Sequence, residues 1–187
     1  MTNLANFIKS NFKIEDPKDL ESVASLFKFS NLKKGVQILA SGQQCDSMNL
    51  VQAGFLRIFN VSDGNEVTQW IAKKGTFATD LSSFFFDTPS RWIIQALVDT
   101  EVYTISKKDY KTIADLVPKW NEIEKLFLVN CFTTMENRIY SHLSMSSQER
   151  YDYFFENNRE LFNQVPLKHI ASILGMTPET MSRIRIK

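Results

Sequence analysis

Apolar residues recur at helical spacing at both ends of this chain and in short strand-like runs in its middle. Leu4, Phe7, Ile8 and Phe12 mark one face of a first helix. Asp16-Pro17 opens a second, with Leu20, Val23, Ala24 and Phe27 on one side. From residue 33 to residue 106 the texture changes. Turn signals fall at Lys33-Lys34-Gly35, Ser41-Gly42, Gln52-Ala53-Gly54, Ser62-Asp63-Gly64-Asn65 and Lys73-Lys74-Gly75. The runs 36–40, 48–52, 55–61, 66–72, 93–98 and 101–105 between and after them predict strands. Such regular punctuation points to an antiparallel barrel, sandwich or jelly roll, and Asp63-Gly64-Asn65 predicts a tight hairpin.

Helical period returns over 118–145, where Pro118 is placed to start a long helix. It carries two apolar stripes, one of Trp120, Ile123, Phe127 and Cys131, the other of Leu128, Phe132, Met135, Ile139 and Leu143. At 100° per residue the stripes lie about 120° apart. A helix packed on one surface needs one stripe, so two predict two partners: the strand-rich region and the same helix of a second subunit. Ser146-Ser147-Gln148-Glu149 reads as a cap opening a further helix, packed through Tyr151, Tyr153, Phe154 and Phe155. Asn157-Asn158 breaks it, and Glu160-Leu161-Phe162 is a short helical piece.

The stretch 165–187 reads as two short helices joined by a tight turn. Ile170, Leu174, Met176, Met181 and Ile184 sit where such a pair interlocks, and Ala171 is small where the helices cross. Gly175 supplies the permissive backbone at the end of the first helix. Thr177 is a good N-cap, with Pro178 at the first helical position. This is a helix-turn-helix signature, whose second helix enters the DNA major groove. An ordinary α-hairpin would share the Gly and the apolar spacing. The outer face separates the two readings: Thr177, Glu179, Thr180, Ser182, Arg183 and Arg185 are types that reach phosphates and base edges.

Composition bounds the alternatives. With 187 residues and a 43% hydrophobic share the chain suits one large domain or two small ones. Net charge is only +1, so DNA affinity has to come from local charge. The C-terminal stretch carries Lys168, Arg183, Arg185 and Lys187 against Glu179. Cys45 and Cys131 form neither a disulfide framework nor a CxxC pair. No secretory leader and no apolar run of the roughly 20 residues a membrane span needs is visible, so a cytoplasmic protein is expected. Two cysteines fall short of an iron–sulfur ligand set, and His142 and His169 lie outside the strand region. No metal and no cofactor is therefore expected. A cupin-type metalloenzyme needs His/Glu ligands on the strands, which hold no histidine, so no enzyme activity is expected either.

The order Gly35, Gly42, Gly54-Phe55-Leu56-Arg57-Ile58, Gly75, Asp80, then Ala96 and Glu101-Val102, resembles the cyclic-nucleotide-binding β-roll of the Crp/Fnr (catabolite activator) family. The helix-turn-helix is similar to that family's, and the two together cover nearly the whole chain in its order. Nucleotide-binding members hold the ribose with a Gly-Glu pair and the cyclic phosphate with an Arg-Ser/Thr-Ala run. The matching positions here read Thr79-Asp80, followed by Leu81, and Ser90-Arg91-Trp92. Thr79 closes off backbone approach, Asp80 is a methylene shorter than Glu, and Arg91 falls one residue late, which in a strand turns a side chain to the other face. The resemblance thus implies a degenerate effector pocket that does not take cAMP. Either the roll is filled by Phe84, Phe85 and Phe86, or it takes an unknown, more apolar small molecule.

On the reading helix, Glu179 and Arg183 match the family's base-contacting Glu and Arg, while Pro178 replaces its first Arg. Lys168 and His169 are expected to touch the DNA backbone. The sequence stops at Lys187, where the family often continues into a β-hairpin wing; either this member lacks the wing or the chain runs further, and fewer DNA contacts per subunit are expected. The fold class is α+β: an N-terminal double-stranded β-helix (a cyclic-nucleotide-binding-like jelly roll) over 1–117, a dimerisation helix over 118–145, and a small all-α helix-turn-helix domain without an evident wing over 146–187. The implied function is a homodimeric transcription regulator. Its partners are double-stranded DNA, a second copy, an effector and RNA polymerase, with no membrane. The competing reading is a β-roll sensor whose C-terminal helices bind a protein partner.

Overall fold

The computed structural model describes residues 3–185. Two N-terminal helices, α1 (Asn3–Phe12) and α2 (Pro17–Ser25), come first. Asp16 caps α2 by accepting from the Lys18 and Asp19 backbone N–H groups, with Pro17 just inside the helix. Strands β1 (Lys28–Leu32), β2 (Gln37–Leu39), β3 (Ser47–Ala53), β4 (Leu56–Ser62), β5 (Asn65–Ala72) and β6 (Phe77–Ala78) follow. A short helix α3 (Leu81–Phe86) precedes β7 (Ile93–Ala96) and β8 (Thr100–Ser106). The remainder is helical: α4 (Lys107–Leu116), α5 (Trp120–Ser144), α6 (Ser147–Asn157), α7 (Arg159–Gln164), α8 (Leu167–Ile173) and α9 (Pro178–Arg185).

The strands form two four-stranded antiparallel sheets, in the orders β1-β8-β3-β6 and β2-β7-β4-β5. Met48, Leu50, Leu56, Ile58, Ile94, Val102 and Ile105 bring them together over one core. The β4–β5 hairpin closes on Ser62 and Asn65, leaving Asp63 and Gly64 as a two-residue turn with φ of 50° and 77°. Positive φ at both central residues matches the twist of the strands, which is why Asp-Gly marks such turns. Gly54 is demanded by space as well as by its φ of 82°. A Cβ there would stand 2.6 Å from Thr100 Oγ1 and 2.7 Å from Asp99 O.

The jelly roll and the helical C-terminal third agree with the pattern. Four elements are absent from that pattern reading. β1 (Lys28–Leu32) is an edge strand with little burial, β6 is two residues long, and α3 is too short to show a period, while α4 carries one, with Tyr110 and Ile113 buried on one face, that the reading passes over. The long helix begins at Trp120 rather than Pro118, because Lys119 takes a left-handed φ of 67° ahead of it.

β4 is buried continuously from Leu56 to Phe59, where a half-covered sheet would alternate. The reason lies on its outer side. Phe55, Ile71 and Leu97 of the roll share a second apolar core with Leu161, Val165, Ile170, Ile173, Leu174 and Met181 of the C-terminal helices. The C-terminal helices therefore pack directly on the roll.

Candidate effector cavity and nucleic-acid interface

Inside the roll, a cavity of about 320 Å³ opens between β3–β6, α1 and α5. Met48, Ile58, Trp70, Phe77, Leu81 and Phe127 supply most of its apolar wall. Gln69, Thr76, Thr79, Asn130 and Thr134 add uncharged polar groups, and among the described residues Lys13 is the one charged member of the lining. Ser10, Asn11 and Lys13 come from α1 and the residue after it, a contribution the sequence did not reveal, since α1 read as a simple packing element. Asn11 Nδ2 donates to Gly75 O at 2.9 Å and so ties α1 to the roll.

The expected pocket residues divide. Thr79 and Leu81 line the cavity, and so do Cys131 and Met135. Asp80, Ser90, Arg91 and Trp92 do not. Asp80 is buried and already occupied: one carboxylate oxygen caps α3 by accepting from the Ser83 N–H at 3.2 Å, the other accepts from the Ser90 hydroxyl at 2.7 Å. Arg91 is exposed, and Trp92 is half-buried against the core. No arginine reaches the cavity among the described residues, so the fork that pairs with a cyclic phosphate is missing. The expectation of a phenylalanine-filled roll is also corrected. Phe84 is buried outside the cavity against Tyr110, their ring centroids 5.3 Å apart, and Phe86 is 75% exposed. α3 carries these side chains away because Asp80 caps it and Asp87 ends it in a left-handed turn. Burial pushes the Cys131 thiol up, which keeps it protonated and poorly nucleophilic.

The two stripes of α5 also divide, but differently from the pattern. Trp120, Ile123, Phe127 and Cys131 pack on the roll as expected, joined by Leu128. Met135 reaches Gln69, with Sδ 3.9 Å from Nε2. Leu128 and Met135 therefore belong to the roll-facing side. The outer strip is Val129, Phe132, Ile139 and Leu143, flanked by Leu126 and Tyr140, each between 52% and 82% exposed. Its spacing, with Glu136 completing the repeat, is the 3-4 alternation of a coiled-coil seam. An apolar strip of this length on a single chain marks an interaction surface.

At the C-terminal end, Gly175 (φ 65°) turns the chain between α8 and α9. Thr177 caps α9, its hydroxyl accepting from the Thr180 N–H at 3.2 Å. Ile170, Ala171, Leu174 and Met181 interlock the pair. With Met181 held inward, Thr177, Pro178, Glu179, Ser182, Arg183 and Arg185 are exposed together, while Thr180 is half-buried. The Glu179 carboxyl is held below its usual range by its own backbone N–H and the Thr177 hydroxyl. Lys168 is exposed; Lys187 lies outside the described residues.

His169 does not sit where a DNA-backbone contact would need it. It is 8% exposed, with Nδ1 3.9 Å from Glu66 Oε2 on β5. Burial, then the charges of Arg57 and Lys168, push the imidazole down to about 4 against the weaker pull of Glu66. Beside it, Arg57 is 1% exposed and donates through Nε to Thr68 Oγ1 at 2.9 Å and through Nη1 to Glu66 at 2.7 Å. Its guanidinium carbon lies 4.1 Å from the Phe59 ring centroid. This buried cluster joins the roll to α8, and a charged residue within the strand pattern of β4 was its sequence signal.

The family model described as Cyclic nucleotide-binding domain matches residues 29–115. No curated protein sequence shows significant similarity to the chain. Among solved structures, FixK2 from Bradyrhizobium japonicum is similar at a TM-score of 0.73 and 17% identity, over 86% of this chain and 83% of that one. The Catabolite Activator Protein of Thermus thermophilus is similar at 0.59 and 20%, over 94% and 84%. A cAMP bound PfPKA-R fragment is similar at 0.54 and 16%, over 59% of this chain, which spans only 40% of that fragment's length. The class that fold and cavity define is thus a β-roll of the cyclic nucleotide-binding type, extended by a long helix and a terminal group of short helices. More particularly, the chain has a Crp/Fnr-like fold.

Proposed function

We propose that the chain is a homodimeric DNA-binding transcription regulator of the Crp/Fnr type. Residues 1–117 form the sensor, 118–145 the dimerisation helix and 146–187 the DNA-binding unit. The observation that carries this reading is α9: its apolar side is locked under Met181, while Glu179, Ser182, Arg183 and Arg185 stand free on one short helix. Glu179 suits a cytosine amino group and Arg183 a guanine edge. Pairing two copies through the outer strip of α5 would set two reading helices on successive major-groove turns, roughly 34 Å apart.

The effector of the roll is a small molecule other than cAMP, since the cavity offers an aromatic wall and amides but no arginine. Its occupancy biases the relative pose of the two reading heads through α5, the helix that walls the cavity on one side and the partner on the other. The protein acts in the cytoplasm and meets RNA polymerase on DNA.

Selection of bound duplexes from a random library, followed by a salt series, tests the reading. It expects an enriched palindrome whose binding weakens steeply with salt, as counterion release requires. Recovery of no enriched sequence, with affinity for a protein partner that ignores salt, would overturn it.

A further inference from the structure

A second cavity, also of about 320 Å³, lies between the roll, α5, α6, α7 and α8. Its chemistry differs from that of the roll. Lys73, Arg138, Arg150 and His142 line it, and among the described residues no aspartate or glutamate does. Arg138 and Arg150 take part in no ion pair among the described residues. Their N–H groups are held by main-chain carbonyls instead, with the Ser147 hydroxyl also accepting from Arg150 Nη2 at 3.5 Å. Arg138 donates to Gln69 O and, at 3.1 Å, to Ile173 O; Arg150 donates to Leu174 O at 3.2 Å and Met145 O at 2.7 Å. Carbonyls satisfy donors but leave each formal charge uncompensated. Lys73 does have a carboxylate, Glu160 at 3.3 Å, but it lies off the cavity wall. Fixed positive charge in a partly enclosed, low-dielectric space raises the local concentration of anions.

The rest of the lining says what kind of anion. Trp70, Tyr153 and Phe154 offer flat aromatic faces, and Asn137, Asn157 and Asn158 offer amides. We propose that this interdomain cavity binds a small organic anion of mononucleotide size, its phosphate or carboxylate beside Arg138, Arg150 and Lys73 and its ring against the aromatic wall. The site is separate from the roll cavity, and only Trp70, Thr76 and Thr134 border both. It does not depend on the DNA-binding reading.

Occupancy would be felt at the helix-turn-helix. The two arginines tie down the last carbonyls of α8, at Ile173 and Leu174, immediately before the Gly175 turn. An anion competes with those carbonyls for the guanidinium groups, so the bound and free states hold the turn differently.

Calorimetry of the full chain with 5′-AMP, adenosine and inorganic phosphate tests the proposal. Saturable binding of 5′-AMP at one site per chain is expected, weakening with salt, with adenosine and inorganic phosphate each at least tenfold weaker. Asn137→Asp puts a carboxylate into this cavity at an exposed residue whose side chain makes no hydrogen bond among the described residues, and should weaken 5′-AMP at least tenfold. Asn130→Asp does the same to the roll cavity and should leave 5′-AMP within twofold. Lack of 5′-AMP and phosphate binding up to millimolar concentration would overturn the site. Equal affinity for adenosine, or equal affinity for bare phosphate, would overturn the ligand class. A loss in Asn130→Asp and not in Asn137→Asp would assign the ligand to the roll instead.

Discussion

Ser172 of α8 completes the hydrogen bonding of Thr68 on β5. Its hydroxyl accepts from the Thr68 backbone N–H at 2.8 Å and donates to Glu66 O at 3.0 Å. β5 is an edge strand, and edge N–H and C=O groups otherwise invite pairing with another chain. α8 thus serves as the cover of a sheet edge. Ser172→Ala leaves the Thr68 amide without this partner and should lower stability by about 1 kcal/mol. Urea denaturation gives the loss, and faster amide exchange confined to β5 would separate it from a general loosening. Unchanged exchange at Thr68 would show that the bridge does not form in solution.

Acidification should weaken the same contact. His169 has a folded value of about 4, below the ordinary histidine value of about 6.5. Between those two pH values the unfolded chain binds a proton that the folded chain refuses, so stability rises with pH and is lost as pH falls from 6.5 to 4. Glu66, held low first by its hydrogen bond from Arg57, acts in the same direction as the pH falls further. Melting temperature measured across pH 4 to 7 should drop less in His169→Gln than in the unaltered protein. Parallel curves would remove His169 from the account.

On the outer face of α9, Arg183→Ala should cost specific DNA binding about 1–3 kcal/mol and relax choice at one base position. A gel-shift series on single-base variants of the selected duplex reads both effects. If affinity falls equally for every duplex, Arg183 holds a phosphate and reads no base.

The α5 strip makes a separate prediction about assembly. Ile139 and Leu143 are 58% and 82% exposed in the single chain, so a charge there costs the fold of one chain little. Ile139→Asp with Leu143→Asp should convert a dimer to a folded monomer by light scattering, with the circular dichroism spectrum kept. DNA affinity should fall with it, because the two reading helices no longer bind as one unit. A monomeric unaltered protein would end the dimer reading at once.

For the roll cavity the expectation is selectivity. Calorimetry with cAMP and cGMP should show no binding in the micromolar range at this site, since Arg91 is exposed and Asp80 is already hydrogen-bonded to Ser83 and Ser90. Micromolar binding that Asn130→Asp abolishes would restore a cyclic-nucleotide site.

Local physics was enough to place most elements. Asp16-Pro17, Asp63-Gly64, Ser146 with Glu149, and Thr177-Pro178 act through neighbours a few residues away, and each cap or turn is found where these residues predict it. Apolar period likewise carried the roll strands, the long helix and the interlocked pair α8–α9, because burial repeats with backbone geometry. Side-chain partners across the fold were not legible in this way. That Asp80 turns inward to cap α3, that Leu128 and Met135 face the roll, and that Arg57, Glu66 and His169 meet depends on residues tens of positions apart. The basic cavity is the extreme case. Lys73, Arg138 and Arg150 are unremarkable in sequence, and only the docking of the C-terminal helices on β5 gathers their charges into one space.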